Sequence, residues 1–364
     1  MAQIQLENIF HTYSQPGLPE EDKEYAVWDL SICWEDGTAN ALLGPSGCGK
    51  TTILNIISGL LQPLKGRVRF DGQDVTNLSP RKRKIAQVFQ FPVVYDSMNV
   101  YDNLAFPLRN QGQPEEVVRK KVTQVAEILD LQDYLTTPPA KLNAAEKQKI
   151  SLGRGIVRED TAAVLLDEPL TVIDPKLKGN MRRKLREVQM NLKKTMIYVT
   201  HDQHEALTFA DDVTIVKDGR LVQKGSPEEL HSQPATPFIG YFIGSPGMNI
   251  LDCSVQENRL QFQDFSLPIS SELFSALQIH GPRLQMGIRP ECIRIETSAQ
   301  AHSVPFEVSV VENTGAYWIV TYVQGSTRIK ARVPESLDVR VGQEHHLAFP
   351  EDKINFFDHQ QRVR

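Results

Sequence analysis

Residues 39–61, ANALLGPSGCGKTTILNIISGLL, constrain the fold more than any other stretch of the chain. An apolar run ending at Leu43 reads as a strand, and Ile53, Leu54, Ile56, Ile57, Leu60 and Leu61 recur at helical spacing after it. Between them Gly44, Gly47, Gly49, Lys50 and Thr51 satisfy GxxxxGK[ST] in the strand–loop–helix setting that this pattern requires. Glycines are needed because successive backbone N–H groups must converge on an anion with no side chain in the way. The helix start adds the positive end of its dipole, Lys50 reaches the β and γ phosphates, and the Thr51 hydroxyl is suited to magnesium. Ser46, Cys48 and Thr52 complete the set of expected phosphate-site positions, so ATP and Mg2+ are the expected cofactors. Cys48, at a helix amino terminus, is expected to be accessible and thiolate-prone, so that alkylation blocks ATP binding and ATP protects.

A second apolar run, residues 162–166, has the continuous character of a buried parallel strand and ends in Asp167 and Glu168. Carboxylates at such a strand end lie where open α/β sheets bind ligands. Asp167 is placed to hold magnesium, and Glu168 to orient and deprotonate an attacking water; the alternative is a strand simply ending in solvent. A third strand, KTMIYVTHDQ, ends at Thr200, His201 and Asp202, where a histidine could sense a γ phosphate. Gln203 to Ala210 read as a helix, and Asp218-Gly219 as a two-residue hairpin turn between alternating strands.

The chain has 364 residues, 40% hydrophobic and 23% charged, which suits two or three folded domains rather than disorder or coiled coil. A net charge of -5 with mixed signs gives no basic footprint, and nucleic acid is not an expected partner. Four dispersed cysteines suggest neither a disulfide framework nor a zinc site. The amino terminus lacks a signal-peptide pattern, and no run approaches the roughly 20 apolar residues of a membrane span. If the protein works at a membrane, other chains do the crossing.

With these elements in this order, the chain resembles the ATPase subunits of ABC transporters, in particular those of carbohydrate and polyol importers of the maltose-transporter type. The likeness implies an α/β P-loop ATPase domain over residues 1–240, with a helical subdomain at about 92–158. A small all-β, OB-like barrel of the TOBE type is implied over 241–364; short alternating runs such as FEVSVVE and TRIKARV, and the stretch MGIRPECIRI, agree with it. It further implies that Gln90 is the Q-loop glutamine that touches magnesium, Tyr13 the adenine-stacking aromatic, Asp174 the D-loop aspartate and His201 the switch histidine. The stretch SQPGLPEEDKE after Tyr13 departs from the family by being longer and more acidic. In the helical subdomain, Val118, Val122, Val125 and Leu129 share one face, with Pro114 suited to the first turn.

The implied partners are two transmembrane permease subunits, a second ATPase chain and, indirectly, a periplasmic or extracellular solute-binding protein. The implied place is the cytoplasmic face of the membrane. One departure bears on mechanism. Where the family carries LSGGQ, this chain has Leu142, Asn143, Ala144, Ala145 and Glu146. Asn143 and Glu146 keep the capping-box spacing, but both glycines are replaced, and a Cβ at each blocks close backbone approach to the partner's ATP. The expected assembly is therefore a heterodimer with one strong and one weak site, importing a glycerol-like solute or another carbohydrate or polyol. A homodimer that tolerates the alanines, or a mainly regulatory nucleotide-binding role, are the alternatives.

Overall fold

A computed structural model describes residues 2–15, 19, 23–281, 283–296, 303–358 and 361–363. It forms two compact units, residues 1–227 and 228–364. Part of SQPGLPEEDKE lies outside the described residues.

The first unit begins with β1 (Ile4–Thr12) and β2 (Tyr25–Trp34), an antiparallel pair, followed by β3 (Ala39–Leu43) and α1 (Lys50–Ser58). β4 (Lys65–Phe70) and β5 (Gln73–Asp74) complete a four-stranded sheet in the order β2-β1-β4-β5. A short α2 (Pro80–Arg83) leads to β6 (Ile85–Val88) and then to the helices α3 (Val100–Asn110), α4 (Glu115–Ile128) and α5 (Ala144–Ile156). β7 (Ala163–Asp167), α6 (Pro175–Leu192), β8 (Met196–Thr200), α7 (Gln203–Phe209) and the hairpin β9 (Asp212–Lys217) with β10 (Arg220–Gly225) follow.

The second sheet runs β10-β9-β3-β8-β7-β6, parallel except for the hairpin strand β10. Its central strands read as continuous apolar runs because both faces are covered. Val164 and Leu166 of β7 and Met196 and Tyr198 of β8 join the core formed with α3–α6. Ala163, Leu165, Ile197 and Val199, on the opposite face, join the core built on α1 and the antiparallel sheet. On α4, Val118, Val122, Val125 and Leu129 are all buried, as their common face requires; Pro114 stands at the N-cap, just outside the helix.

α1 ends earlier than its sequence pattern. Gly59 takes φ 83° at the C-cap, and Leu60, beyond the helix, is exposed. The stop is local: glycine adopts the left-handed C-cap conformation freely, and its N–H donates to the carbonyls of Asn55 and Ile56; Arg83, buried against this end, donates to the carbonyls of Ile56 (2.6 Å) and Ile57 (2.8 Å). At φ 83° a Cβ at position 59 would lie 2.9 Å from the Leu78 carbonyl oxygen, so glycine is favoured there. Arg83 thus satisfies carbonyls that a helix end leaves without partners.

The second unit carries two antiparallel sheets, of six and five strands, around one apolar core containing Leu260, Met286, Phe306, Tyr322 and Phe356. The helical segment 228–243 goes with this unit: Arg289, buried, donates to the carbonyls of His231, Gly240 and Ile243.

Candidate active site

Parallel pairing sets the strand ends level. Leu43 of β3 pairs with Thr200 of β8, and Asp167 of β7 pairs with Val199. Val88 of β6 pairs with Leu166, so Gln90, two residues farther on, leaves the same edge of the sheet. The phosphate loop, Gln90, Asp167, Glu168 and His201 therefore all follow the carboxyl ends of neighbouring strands, where ligands bind in such sheets.

The loop is held open by its glycines. Gly49, the N-cap of α1, has φ 98°, and a Cβ there would sit 2.2 Å from the Ala26 carbonyl oxygen. At Gly44 a Cβ would meet the Val216 carbonyl oxygen at 2.2 Å. Gly47 has φ 80° and is exposed, the left-handed conformation that glycine adopts freely. The hairpin turn supports the loop from behind: Gly219 N–H donates to the Cys48 carbonyl at 3.2 Å. Asp218 and Gly219 both have positive φ, the signature of a type I′ turn. Sequence reading found this turn but not its contact with the loop, because no local pattern reports a contact across some 170 residues of chain.

Lys50 is buried, and its Nζ donates to the carbonyls of Gly44 (2.9 Å) and Pro45 (2.8 Å). The amine thus lies within the loop, held by the loop's own carbonyls. Ser46 and Thr51 are exposed, and Thr52 is buried with its hydroxyl 3.2 Å from that of Tyr13. The Tyr13 ring, 67% exposed, stands beside the first turn of α1 and packs edge-to-face with His11, ring centroids 4.9 Å apart.

Cys48 corrects the expectation of an accessible thiolate. It is only 6% exposed and packs with the core of α1 and the antiparallel sheet. Burial pushes its thiol pKa up, outweighing the pull of Lys50, whose Nζ is 3.8 Å from the sulfur. The side chain faces inward because the loop turns its backbone, rather than its side chains, toward the ligand.

Asp167, half-buried, has its pKa raised by burial first and then by the charge of Glu168, with Lys50 acting against both. A divalent cation beside it would restore the ionised form. Among the described residues no cluster of three or more His, Cys, Asp or Glu could hold a metal. The donor set of Thr51, Gln90 and Asp167 nevertheless fits magnesium, an ion that commonly takes one or two protein oxygens and completes its shell with phosphate and water.

Glu168 has φ 44°, unusual for a residue with a side chain, and its N–H donates to the Val199 carbonyl at 2.9 Å. Strained backbone of this kind persists where surrounding structure over-determines it, commonly at active sites. Its carboxylate is gripped at both oxygens: Oε1 by His201 Nδ1 at 2.9 Å, Oε2 by the Thr171 hydroxyl at 3.2 Å. A carboxylate can only accept here, so Nδ1 carries the hydrogen and Nε2 is left for a ligand. Thr171 was not expected from sequence; only its position three residues after Glu168, in the turn before α6, marks it.

Asp174 is the N-cap of α6, its Oδ1 accepting from Lys176 N–H at 2.9 Å. At α5 the capping box is complete: Asn143 Oδ1 accepts from Glu146 N–H, and Glu146 Oε2 from Asn143 N–H, both at 2.9 Å. The Glu146 carboxylate is thereby folded onto the helix start. Ala144 is exposed, whereas Ala145 is half-buried and packs against the helical core. Gln148, buried one turn on, donates to the Phe89 carbonyl at 3.2 Å and so ties α5 to the segment leading to Gln90.

This fold, with this loop and this pair of carboxylates, defines a phosphate-loop ATPase of the ATP-binding-cassette kind. The chain belongs to the ABC transporter family, as one of its ATP-binding, ATP-hydrolysing subunits. Residues 27–171 match the ABC transporter family, 244–293 the MalK OB fold domain and 286–357 the TOBE domain. Similar proteins include the oligosaccharides import ATP-binding protein MsmX of Bacillus subtilis, 35% identical over 100% of both chains. The sn-glycerol-3-phosphate import ATP-binding protein UgpC of Yersinia pestis is 40% identical over 98% of both. Among solved structures, cbiO1 of Clostridium perfringens, part of the ABC transporter complex cbiONQ, superposes with a TM-score of 0.57 at 26% identity, over 63% of this chain and 90% of that one.

Proposed function

We propose that the chain powers import of a carbohydrate or polyol, with glycerol-type solutes included, through two transmembrane subunits served by a solute-binding protein. The observation that carries this reading is the convergence of Lys50, Asp167, Glu168 and His201 at one sheet edge, in a chain that matches importer ATPases end to end. Lys50 and the loop N–H groups bind the phosphates, Tyr13 stacks on adenine, and Thr51, Gln90 and Asp167 would hold magnesium, which shields phosphate charge when bound. Glu168 orients and deprotonates the attacking water, and His201 Nε2 faces the γ phosphate. Among the described residues no helix is long and apolar enough to cross a membrane; in this reading the transmembrane subunits do the crossing and the chain works peripherally, at the cytoplasmic face.

A recess of about 640 Å3, lined by Arg81, Phe89, Val93, Phe106, Arg154 and Arg158, suits the seat of the membrane subunits. Phe91, on the same segment, is 68% exposed, an apolar surface of the kind that marks a docking face.

The second ATPase is proposed to be a different chain. The signature start keeps its cap and its helix dipole, but both glycines are replaced: the Ala144 methyl is exposed at the helix start, where backbone would meet the partner's ATP, while that of Ala145 packs against the helical core. The complete capping box favours a second reading, a homodimer in which this helix start still functions. Intact-mass measurement of the complex purified from membranes decides between them: a second ATPase in equal amount supports the heterodimer, and this chain alone with membrane subunits overturns it. Glu168→Gln tests the catalytic role itself. Loss of turnover and transport supports it, whereas retained transport would make the chain a regulatory nucleotide-binding subunit.

A further inference from the structure

Beneath His201 lies a buried carboxylate that the chemistry above does not use. Glu205, on α7, is 5% exposed. Its Oε2 accepts from the Tyr198 hydroxyl at 3.0 Å and the Thr200 hydroxyl at 2.9 Å. Its Oε1 faces Lys178 Nζ of α6 at 3.5 Å. A carboxylate this deep is retained only with partners on every side.

The arrangement brackets His201 in sequence. Thr200 precedes it and donates to Glu205. Asp202 follows it, and its N–H donates to the Thr200 hydroxyl oxygen at 3.0 Å. Asp202 then caps α7, accepting from His204 N–H at 2.8 Å and Glu205 N–H at 3.3 Å. The backbone on both sides of His201 is therefore referred to one carboxylate. Lys178 supplies that carboxylate's link outside β8 and α7, and it lies one turn after Asp174, the residue that starts α6. Arg182, another turn on, meets His204 Nε2 at 3.3 Å and makes a second bridge from α6 to α7.

We infer that Glu205 and Lys178 are positioning residues that couple the placement of His201, and through it of Glu168, to the helix begun by Asp174. A displacement at the Asp174 end of α6 reaches the histidine through the Lys178–Glu205 pair rather than through the sheet. The inference rests on the proposed catalytic role of Glu168 and His201. It assigns to this ion pair the setting of the turnover rate, with no part in nucleotide affinity, because the side-chain bonds of the pair run between α6, α7 and β8 rather than to the phosphate loop.

The test uses Lys178→Met in the full chain. The lysine is partly exposed, so the variant is expected to fold even where Glu205→Gln, in the core, does not. ATP turnover, KM and thermal midpoint are measured beside the wild type, Lys178→Arg and Glu168→Gln. Expected is a lowered midpoint, since the buried Glu205 loses its cationic partner, and, with rates measured well below that midpoint, a kcat lowered about fivefold with KM unchanged and recovered in Lys178→Arg, the pattern of an interaction needed in the transition state and not in binding. An unchanged kcat, or a kcat that falls only in step with the midpoint, overturns the inference. If Glu168→Gln turns over like the wild type, the catalytic reading itself fails and this inference with it; if only Lys178→Met is silent, the inference alone falls.

Discussion

His201 Nδ1 lies 2.9 Å from Glu168 Oε1, joining the ends of two adjacent parallel strands across the site. The contact fixes the tautomer of the imidazole and, with Thr171, the direction of the carboxylate. If Glu168 acts as the proposed base, its carboxylate is already oriented at both oxygens before water arrives, and positioned general bases contribute about 10²–10⁴ in rate.

Removing that base should show as chemistry rather than binding. Glu168→Gln keeps the shape and the Thr171 contact but cannot take a proton. Turnover is expected to fall by about 10²–10³, with nucleotide affinity nearly unchanged. Single-turnover hydrolysis together with a fluorescent-nucleotide titration would check both halves, and a variant that still hydrolyses at the wild-type rate would remove Glu168 from the mechanism.

The signature start makes opposite demands on stability and activity. Replacing Ala144 and Ala145 with glycine opens the backbone to a partner's phosphates but loosens the first turn of α5 and removes the packed methyl of Ala145. Each exchange should cost about 0.5–1 kcal/mol of stability, yet hydrolysis in the assembled complex should rise. Steady-state ATPase of the complex, with urea unfolding of the isolated chain alongside, separates the two effects. Unaltered hydrolysis would mean that these methyls do not limit the partner's site.

Cys48 should resist alkylation. Its thiol is buried and its pKa raised by desolvation, and thiolate is the reacting form. Cys253, whose pKa is pushed up to about 12 by burial, gives an internal reference for a silent cysteine. Peptide mass mapping after iodoacetamide treatment at neutral pH should find both far slower than free cysteine, and ATP should make no difference to Cys48. Rapid labelling of Cys48 that ATP blocks would restore the accessible thiolate expected from the helix start alone.

How much of this was legible in the sequence depends on the range over which each pattern acts. The phosphate loop, the Asp167 and Glu168 strand end and the Asn143 capping box are local: glycine backbone freedom, apolar runs and three-residue spacings encode them within one segment. The end of α1 falls short of its apolar period because Leu60 and Leu61 continue that period past Gly59, whose left-handed C-cap stops the helix, while Arg83, which bonds the last carbonyls, comes from 24 residues later. The inward turn of Cys48 escaped for a related reason. A helix amino terminus argues for a thiolate, but burial against the neighbouring sheet outweighs it and leaves no mark in the loop's own residues. Glu205 carries no mark in the sequence beyond its place in the helix expected at Gln203 to Ala210, since its partners Tyr198 and Lys178 lie on two other elements.

Lys194 offers a test through pH. It is buried where α6 gives way to β8, with Nζ donating to the Arg158 carbonyl at 2.7 Å, and desolvation pulls its pKa down to about 8 from 10.5. The unfolded chain therefore binds more protons than the folded one between those two values. Stability from this group must rise with pH across that window: below about 8 both states carry the charge and the folded state bears its full burial cost, and above 10.5 neither does. Relative to Lys194→Met, which has no proton to lose, the wild type should gain about 1–2 kcal/mol across the window. That is less than the whole shift implies, because the recess beside the amine admits solvent. Urea unfolding of both proteins at a series of pH values gives the difference directly. A flat difference would show that the amine keeps its ordinary pKa, and that the Arg158 carbonyl compensates for its burial.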